Sequence, residues 1–421
     1  MSEAIEKATR AHEASAAMRR ASNAARVDAI RQAAARVAEA RDLIIDANRR
    51  DMARAREAGM SAPLQDRLLL TNERIQSIVD AMCAVADQAD PIGRVLTGRT
   101  LDSGVRMEQV TVPLGVVAMI YEARPNVTAD AFALCARTGN AVVLRGGSAA
   151  HDSCRAIADA CRAGLVAAGL PGDALQLIDA QGEEGHRETE CLMRANGLID
   201  VLIPRGGAAL IQSCVRNATV PVIQTGTGNC HVYLHESADP SMAVRIVVNA
   251  KTQRPGTCNS AESLLVDDVA AERLLPPVCA ALVERGVTLV GDERARAVAA
   301  AHGVKMGAAV EEDWGREYLD LKMSVHCVSG VDEAIAHVNR YGTGHSEAIV
   351  TSDYAAGERF LAGVDAAAVY VNASTRFTDG GMFGLGCEIG ISTQKMHVRG
   401  PMGASALTTT KYLLRGDGQT R

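Results

Sequence analysis

From Gly115 onward the chain repeats one pattern: a short apolar run, a stretch with helical spacing, then another apolar run. The runs GVVAMIY (115–121), NAVVLR (140–145), LQLID (175–179), LIDVLIP (198–204) and VPVIQT (220–225) each have the length of a strand. Runs that are apolar at nearly every position belong to strands covered on both faces, and consecutive strands joined through helices run parallel. The pattern restricts the chain to an α/β fold in which helices wind about a parallel sheet. A second series starts near residue 240: a helix through Asn249, AESLLV (261–266), a helix over 269–285, VTLV (287–290), EYLDLKMSV (317–325), a helix at DEAIAHVNRYG (332–342), EAIVT (347–351) and AAVYVN (367–372). It predicts a second α/β lobe.

The 421 residues exceed one ordinary core of roughly 100–200 residues, which agrees with two lobes. Residues 1–90 are rich in Ala, Arg and Glu with helical apolar spacing, as at Ile30, Ala33, Ala34, Val37 and Ala38, and predict a helical segment. LDSGVRMEQVTV (101–112) and the Thr-rich SALTTTKYLLR (405–415) fit neither series; strands that stand apart in this way commonly pair with a second subunit. No run approaches the roughly 18 apolar residues of a membrane helix. The opening MSEAIEKATRAHEA mixes acid and base without an apolar stretch, so a secretory leader is not expected and the cytoplasm is. A formal charge of −6 speaks against nucleic acid as a partner, and any anionic ligand must be met by a few local arginines. Eleven cysteines show neither a C-x-x-C pair nor zinc-like spacing, so no disulfide framework and no metal site are expected.

Two strand-to-helix turns carry paired glycines: Arg145, Gly146, Gly147, Ser148 and Arg205, Gly206, Gly207. Glycine there lets backbone approach a ligand, and the following helix N-terminus offers N–H groups to phosphate. Such glycines are equally good connection chemistry, and neither turn completes G-x-G-x-x-G. The preceding arginines suit an adenosine 2′-phosphate. Cys135, Cys154, Cys161, Cys214 and Cys279 fall in helices among apolar neighbours and read as core. Cys258 lies instead in the loop QRPGTCNSAES (253–263), with small residues around it that leave room for a carbonyl, as a nucleophilic thiol needs. Arg124, Pro125 and Asn126 follow a strand directly, at the sheet edge where α/β ligands bind; Asn126 is either an oxyanion donor or a helix cap.

Five segments together, PLGVVAMIYEARPNVTADAFALCARTGNAVVLRGGSAA, QTGTGNCHVYL, NAKTQRPGTCNSAESLLV, YGTGHSEAIVT and VNASTRFTDGGMFGLGCEIGIS, closely resemble the γ-glutamyl phosphate reductase family, a divergent branch of the aldehyde dehydrogenase superfamily. The resemblance implies an aldehyde dehydrogenase-like fold. Residues 1–100 and 113–235 would form a Rossmann-like cofactor domain with N-terminal helices, and 236–375 a catalytic domain bearing the thiol. Residues 376–402 would return to the cofactor domain, and 101–112 with 403–417 would be oligomerisation strands. It further implies NADP(H) as cofactor, L-glutamyl 5-phosphate as substrate in proline biosynthesis, a homo-oligomer, and handover of substrate from glutamate 5-kinase. By the same likeness Cys258 is the nucleophile, Asn126 the oxyanion donor and Glu317 the holder of the nicotinamide ribose. Arg124 and Arg376 are candidates for the substrate's anionic groups. One departure is chemical. Aldehyde dehydrogenases that release free acids carry a water-activating glutamate where this chain has Thr225, Gly226, Thr227 and Gly228. A thioester without a general base resists hydrolysis, which disfavours a non-phosphorylating dehydrogenase and makes phosphate the natural acceptor. A cofactor-independent cysteine acyltransferase would need a His base beside Cys258, which the spacing of His231 and His235 does not supply.

Overall fold

In the computed structural model, which describes residues 2–421, the N-terminal segment folds as α1 (Glu3–Arg20), α2 (Asn23–Glu39), α3 (Arg41–Glu57), α4 (Ala62–Leu68) and α5 (Asn72–Ala86). Ser2, Ser22 and Thr71 cap α1, α2 and α5 by accepting a backbone N–H of the first turn. The alanine stripe predicted on α2 is its buried face.

The chain divides into two units: residues up to Thr225 with Gly384–Gly390 and Pro401–Arg421, and Gly226–Phe383 with Ile391–Gly400. The first unit holds β1 (Val95–Thr100), β2 (Arg106–Pro113), β3 (Val116–Tyr121), β4 (Ala141–Gly146), β5 (Leu175–Leu177) and β6 (Val201–Arg205). Strands β5-β4-β3-β6 form a parallel sheet in that order, with β3 and β4 buried along their whole length. Helices α6 (Asn126–Arg137), α7 (His151–Ala167), α8 (Gly182–Met193) and α9 (Ala208–Asn217) supply the crossovers. VPVIQT does not become a further strand: it makes a single bridge, Leu202 to Val222, because Pro221 has no N–H to continue a ladder. The N-terminus of α7 is capped by buried Asp51, whose Oδ2 accepts the Ser153 N–H (2.8 Å) and hydroxyl (2.6 Å).

The second unit contains β7 (Cys230–Leu234), β8 (Ala261–Asp267), β9 (Thr288–Gly291), β10 (Gly307–Ala308), β11 (Lys322–Val328), β12 (Ser346–Val350) and β13 (Ala368–Val371). They form one parallel sheet in the order β10-β9-β11-β8-β7-β12-β13. Its helices are α10 (Pro240–Thr252), α11 (Ala271–Glu284), α12 (Glu293–Ala301), α13 (Val331–Tyr341) and α14 (Tyr354–Gly363). The unit boundary falls ten residues before the expected 235/236, because β7 is hydrogen-bonded by β8 on one side and β12 on the other. The expected return over 376–402 is likewise split, with 376–383 and 391–400 staying in the second unit and only 384–390 and 401–402 in the first. EYLDLKMSV enters the sheet only at Lys322; Leu319, at φ 54°, interrupts extended backbone before it.

Two short strands, β14 (Ile391–Ser392) and β15 (Gly400–Pro401), pair with each other. The last strand, β16 (Thr408–Arg415), pairs antiparallel with β2, which pairs antiparallel with β1 on its other side. The two segments set apart in the sequence thus share a sheet, extended to Pro113 and joined by β1, which the helical reading of the N-terminus had not foreseen. Among the described residues no helix is long and apolar enough to cross a membrane.

Candidate active site

Four thiols are half-exposed: Cys83, Cys191, Cys258 and Cys327. Cys83 lies in α5, Cys191 in α8 and Cys327 in β11, where burial pushes the Cys327 thiol up to about 12. Only Cys258 among them sits in a loop, between α10 and the N-terminal end of β8. Its neighbours on both sides are tied to the segment after β13. Thr257 Oγ1 accepts from Arg376 Nη1 (2.9 Å), while Arg376 Nε donates to Gln253 Oε1 (2.9 Å). Asn259 donates through Nδ2 to the Thr378 carbonyl (2.9 Å), and its own carbonyl accepts from the Thr375 hydroxyl (2.7 Å). The loop is therefore braced at both flanks, which fixes the thiol between them.

The Cys258 backbone is held as closely. Its carbonyl accepts from the buried Cys230 thiol (3.1 Å), and Cys230 Sγ lies 3.8 Å from His345 Nδ1. A Cβ built on Gly228 would stand 1.4 Å from that carbonyl oxygen, and one on Gly226 would stand 2.2 Å from Thr393 Cγ2. Neither position of the Thr-Gly-Thr-Gly stretch that replaces the water-activating glutamate can hold a side chain. Glu317 reaches the same stretch: its Oε1 accepts the Gly228 N–H at 2.7 Å. Cys258, Glu317 and Arg376, widely separated in sequence, thus converge on one loop, Glu317 through Gly228 and Arg376 through Thr257. Burial lowers the Arg376 pKa from its ordinary value, and the nearby Asp379 carboxylate opposes that shift.

In the first unit Arg124–Asn126, Gly146–Ser148 and Arg205–Gly207 lie at the C-terminal ends of the adjacent strands β3, β4 and β6, Gly146 and Arg205 being the last residues of β4 and β6. Asn126 is the first residue of α6 and not its cap; Nδ2 donates along the helix to Asp130 Oδ2 (2.9 Å). Burial pushes the Asp130 carboxyl up to about 7. Asp130 was missed, although Asn and Asp four apart on a helix predict such a pair. Arg145 is buried in β4, its Nη1 donating to the Gly146 carbonyl, and a Cβ on Gly185 would meet its Nη2 at 2.6 Å. Ser148 is exposed in the turn. At the other turn the Gly207 N–H donates to Glu122 Oε2 (2.9 Å), so a carboxylate stands where a phosphate had been expected. Arg205 Nη2 lies 3.8 Å from Glu388 Oε1.

Residues 1–318 match the aldehyde dehydrogenase family. The chain is 50% identical over 414 residues to the gamma-glutamyl phosphate reductase of Thermobifida fusca, covering 98% of this chain and 97% of that one. It is 51% identical over 415 residues to the enzyme of the same name from Moorella thermoacetica, covering 99% and 98%. The crystal structure of gamma-glutamyl phosphate reductase from Thermotoga maritima superimposes with a TM-score of 0.94 at 43% identity, each chain covered in full. An acetylating aldehyde dehydrogenase from Geobacillus thermoglucosidasius, at 18% identity and a TM-score of 0.72 over 100% of this chain and 97% of its own, shares the fold.

Proposed function

Because the chain belongs to the aldehyde dehydrogenase family, in its γ-glutamyl phosphate reductase branch, we propose that Cys258 is the thiol through which it works. The chain reduces L-glutamyl 5-phosphate to L-glutamate 5-semialdehyde with release of phosphate, a step of proline biosynthesis, using a nicotinamide cofactor and a cysteine thioester. Cys258 attacks the acyl carbon, and the oxyanion is held by the Cys258 N–H and by Asn126, whose Nδ2 has a second hydrogen beyond the one given to Asp130. The C–O bond to phosphate breaks and the thioester remains. When bound, the cofactor supplies the hydride that reduces it; the C–S bond then breaks and the thiol is regenerated. Arg376, braced on Thr257 beside the thiol, receives an anionic group of the substrate, and Arg124 is assigned a second.

The preferred cofactor is NADPH, with its phosphates at the Gly146–Ser148 turn. The fit rests on exposed Ser148 and on Gly147, where a Cβ would crowd Glu122 Cα at 3.3 Å. Glu122 repels an anion from the Gly206–Gly207 turn, so that turn and Arg205 are not retained as phosphate contacts. Buried Arg145 holds the first turn in shape; if so, Arg145→Ala raises the Michaelis constants for NADPH and NADH together, whereas loss confined to NADPH would restore its 2′-phosphate role. Glu317 keeps its assignment to the nicotinamide ribose through Oε2, with Oε1 engaged by Gly228. We place the protein in the cytoplasm, as a homo-oligomer supplied by glutamate 5-kinase.

The observation that carries the mechanism is the lack of an acidic or basic side chain from Thr225 to Gly228, where Gly226 and Gly228 also have no room for one. This stretch supplies no general base to activate water, so phosphate takes the acyl group. Run in reverse with L-glutamate 5-semialdehyde and NADP⁺, the enzyme should sustain NADPH formation only when phosphate is present, and otherwise give one turnover per site. Sustained phosphate-independent turnover would identify a hydrolytic dehydrogenase.

A further inference from the structure

Helix α6 is buried at every residue from Val127 to Arg137, and Asp130 is the one acidic side chain it carries. A carboxyl group in that setting weakens the fold. Burial pushes it up to about 7; the Asn126 amide, the Arg205 charge and the Cys387 thiol work against that rise, and the Glu388 carboxylate adds to it. An apolar side chain of similar size would fill the space at lower cost in free energy. A buried titratable group kept against its own solvation points to a task beyond packing.

The task is legible in what Asp130 holds. One turn earlier Asn126 opens the helix, half-exposed, and its Nδ2 donates to Asp130 Oδ2 at 2.9 Å. Residues four apart on a helix lie on one face, so the pair is local and firm. An asparagine at a helix start ordinarily turns its oxygen to a first-turn N–H. Here Pro125 holds the cap position and no side-chain cap forms, which leaves the amide to Asp130. The two ends of an amide have nearly the same shape, and its hydrogen bonds decide which way round it sits. Above about pH 7 the Asp130 carboxylate only accepts, so it takes one N–H of Nδ2 and leaves the second directed away from itself. Turned over, Asn126 would present the lone pairs of Oδ1 in that direction, and these repel a developing oxyanion.

We propose that Asp130 is a positioning residue for the reaction: it fixes the Asn126 amide so that Nδ2, and not Oδ1, meets the oxyanion. The inference rests on the assignment of Asn126 as oxyanion donor and supplies the group that orients it. In this role Asp130 acts on the reaction only through Asn126.

The test is a double-mutant cycle at pH 8, read as the rate of the first turnover with L-glutamate 5-semialdehyde and NADP⁺, so that chemistry and not product release is measured. Asn126→Ala should slow that turnover on the order of 100-fold. Asp130→Leu, which keeps bulk and removes the acceptor, should slow it about tenfold, with the Michaelis constant for the semialdehyde changed by about twofold or less. In the Asn126→Ala background the same substitution should change nothing. Alkylation of Cys258 by iodoacetamide, which forms no oxyanion, should keep its wild-type rate in all three variants. If Asp130→Leu does not fold, Asp130→Asn takes its place in the cycle; its amide pairs with either end of Asn126, so its loss should be about two- to fourfold and again vanish without Asn126. Losses that multiply would overturn the proposal, since Asp130 would then act by another route, and so would a full rate in Asp130→Leu; either result leaves Asn126 as the oxyanion donor. A full rate in Asn126→Ala would overturn both the donor assignment and the positioning role.

Discussion

Gly228 and Cys258 form a backbone-to-backbone contact that leaves no freedom at either residue. Gly228→Ala places a Cβ against the Cys258 carbonyl, and a displacement of about 1 Å at a nucleophile can cost on the order of 100-fold. The variant should lose about that factor in kcat while its thiol still reacts with iodoacetamide; unchanged kcat would show that the loop tolerates the shift. Asp130 gives a pH signature. Its folded-state pKa, about 7, lies above the unfolded value near 3.9, so between about pH 4 and 7 the native state holds a proton that the unfolded state has released. Stability from this group is fully present below that window and falls as pH rises through it, by on the order of 4 kcal/mol. Asp130→Asn removes the loss. In urea unfolding, the difference in stability between variant and wild type should grow from about pH 5 to about pH 8, and a constant difference would refute the assignment.

Between α10 and β8 the buried pair Lys251–Glu262, at 2.5 Å, locks the helix that precedes the catalytic loop to the strand that follows it. Burial drives both partners toward their neutral forms, lowering Lys251 and pushing Glu262 up to about 7, and their contact opposes it. Lys251→Met leaves an uncompensated buried carboxylate and should destabilise the protein by about 3–5 kcal/mol in chemical denaturation, with much of the loss recovered in Lys251→Met/Glu262→Leu. Equal loss in both variants would show that packing and not charge is at stake. Neither partner was singled out from the sequence, because a pair that spans a loop leaves no periodic trace. What periodicity does report, the β3–β4 and β8 runs and the buried stripe of α2, appears where expected. VPVIQT fails because its apolar content suits a strand while Pro221 forbids the ladder. Cys258 could be found from loop chemistry, yet its braces, Arg376 to Thr257 and Cys230 to the carbonyl, come from segments over a hundred residues away or on another strand. The role of Glu122 at the second glycine turn was equally hidden, since nothing local links it to Gly207.

The three-stranded sheet β1-β2-β16 leaves Val95, Leu96, Tyr412 and Leu414 more than half exposed, at 57%, 53%, 56% and 58%. Exposed apolar side chains on a sheet favour a partner subunit, so Tyr412→Asp with Leu414→Asp should lower the mass found by sedimentation velocity without unfolding either unit. A wild-type monomer would remove the proposal of an oligomer. The same sheet joins residues at opposite ends of the chain: Pro113 faces Thr408 and Arg106 faces Arg415. During synthesis β2 therefore waits for its second neighbour while some 300 residues are added, roughly 15–60 s at ordinary elongation rates. Throughout that interval one edge of β2 is an open template for the matching strand of any other nascent chain nearby. A polypeptide that ends short of Thr408 keeps that edge bare for good, so the last few residues decide whether each newly made molecule closes upon itself or upon its neighbour on the next ribosome.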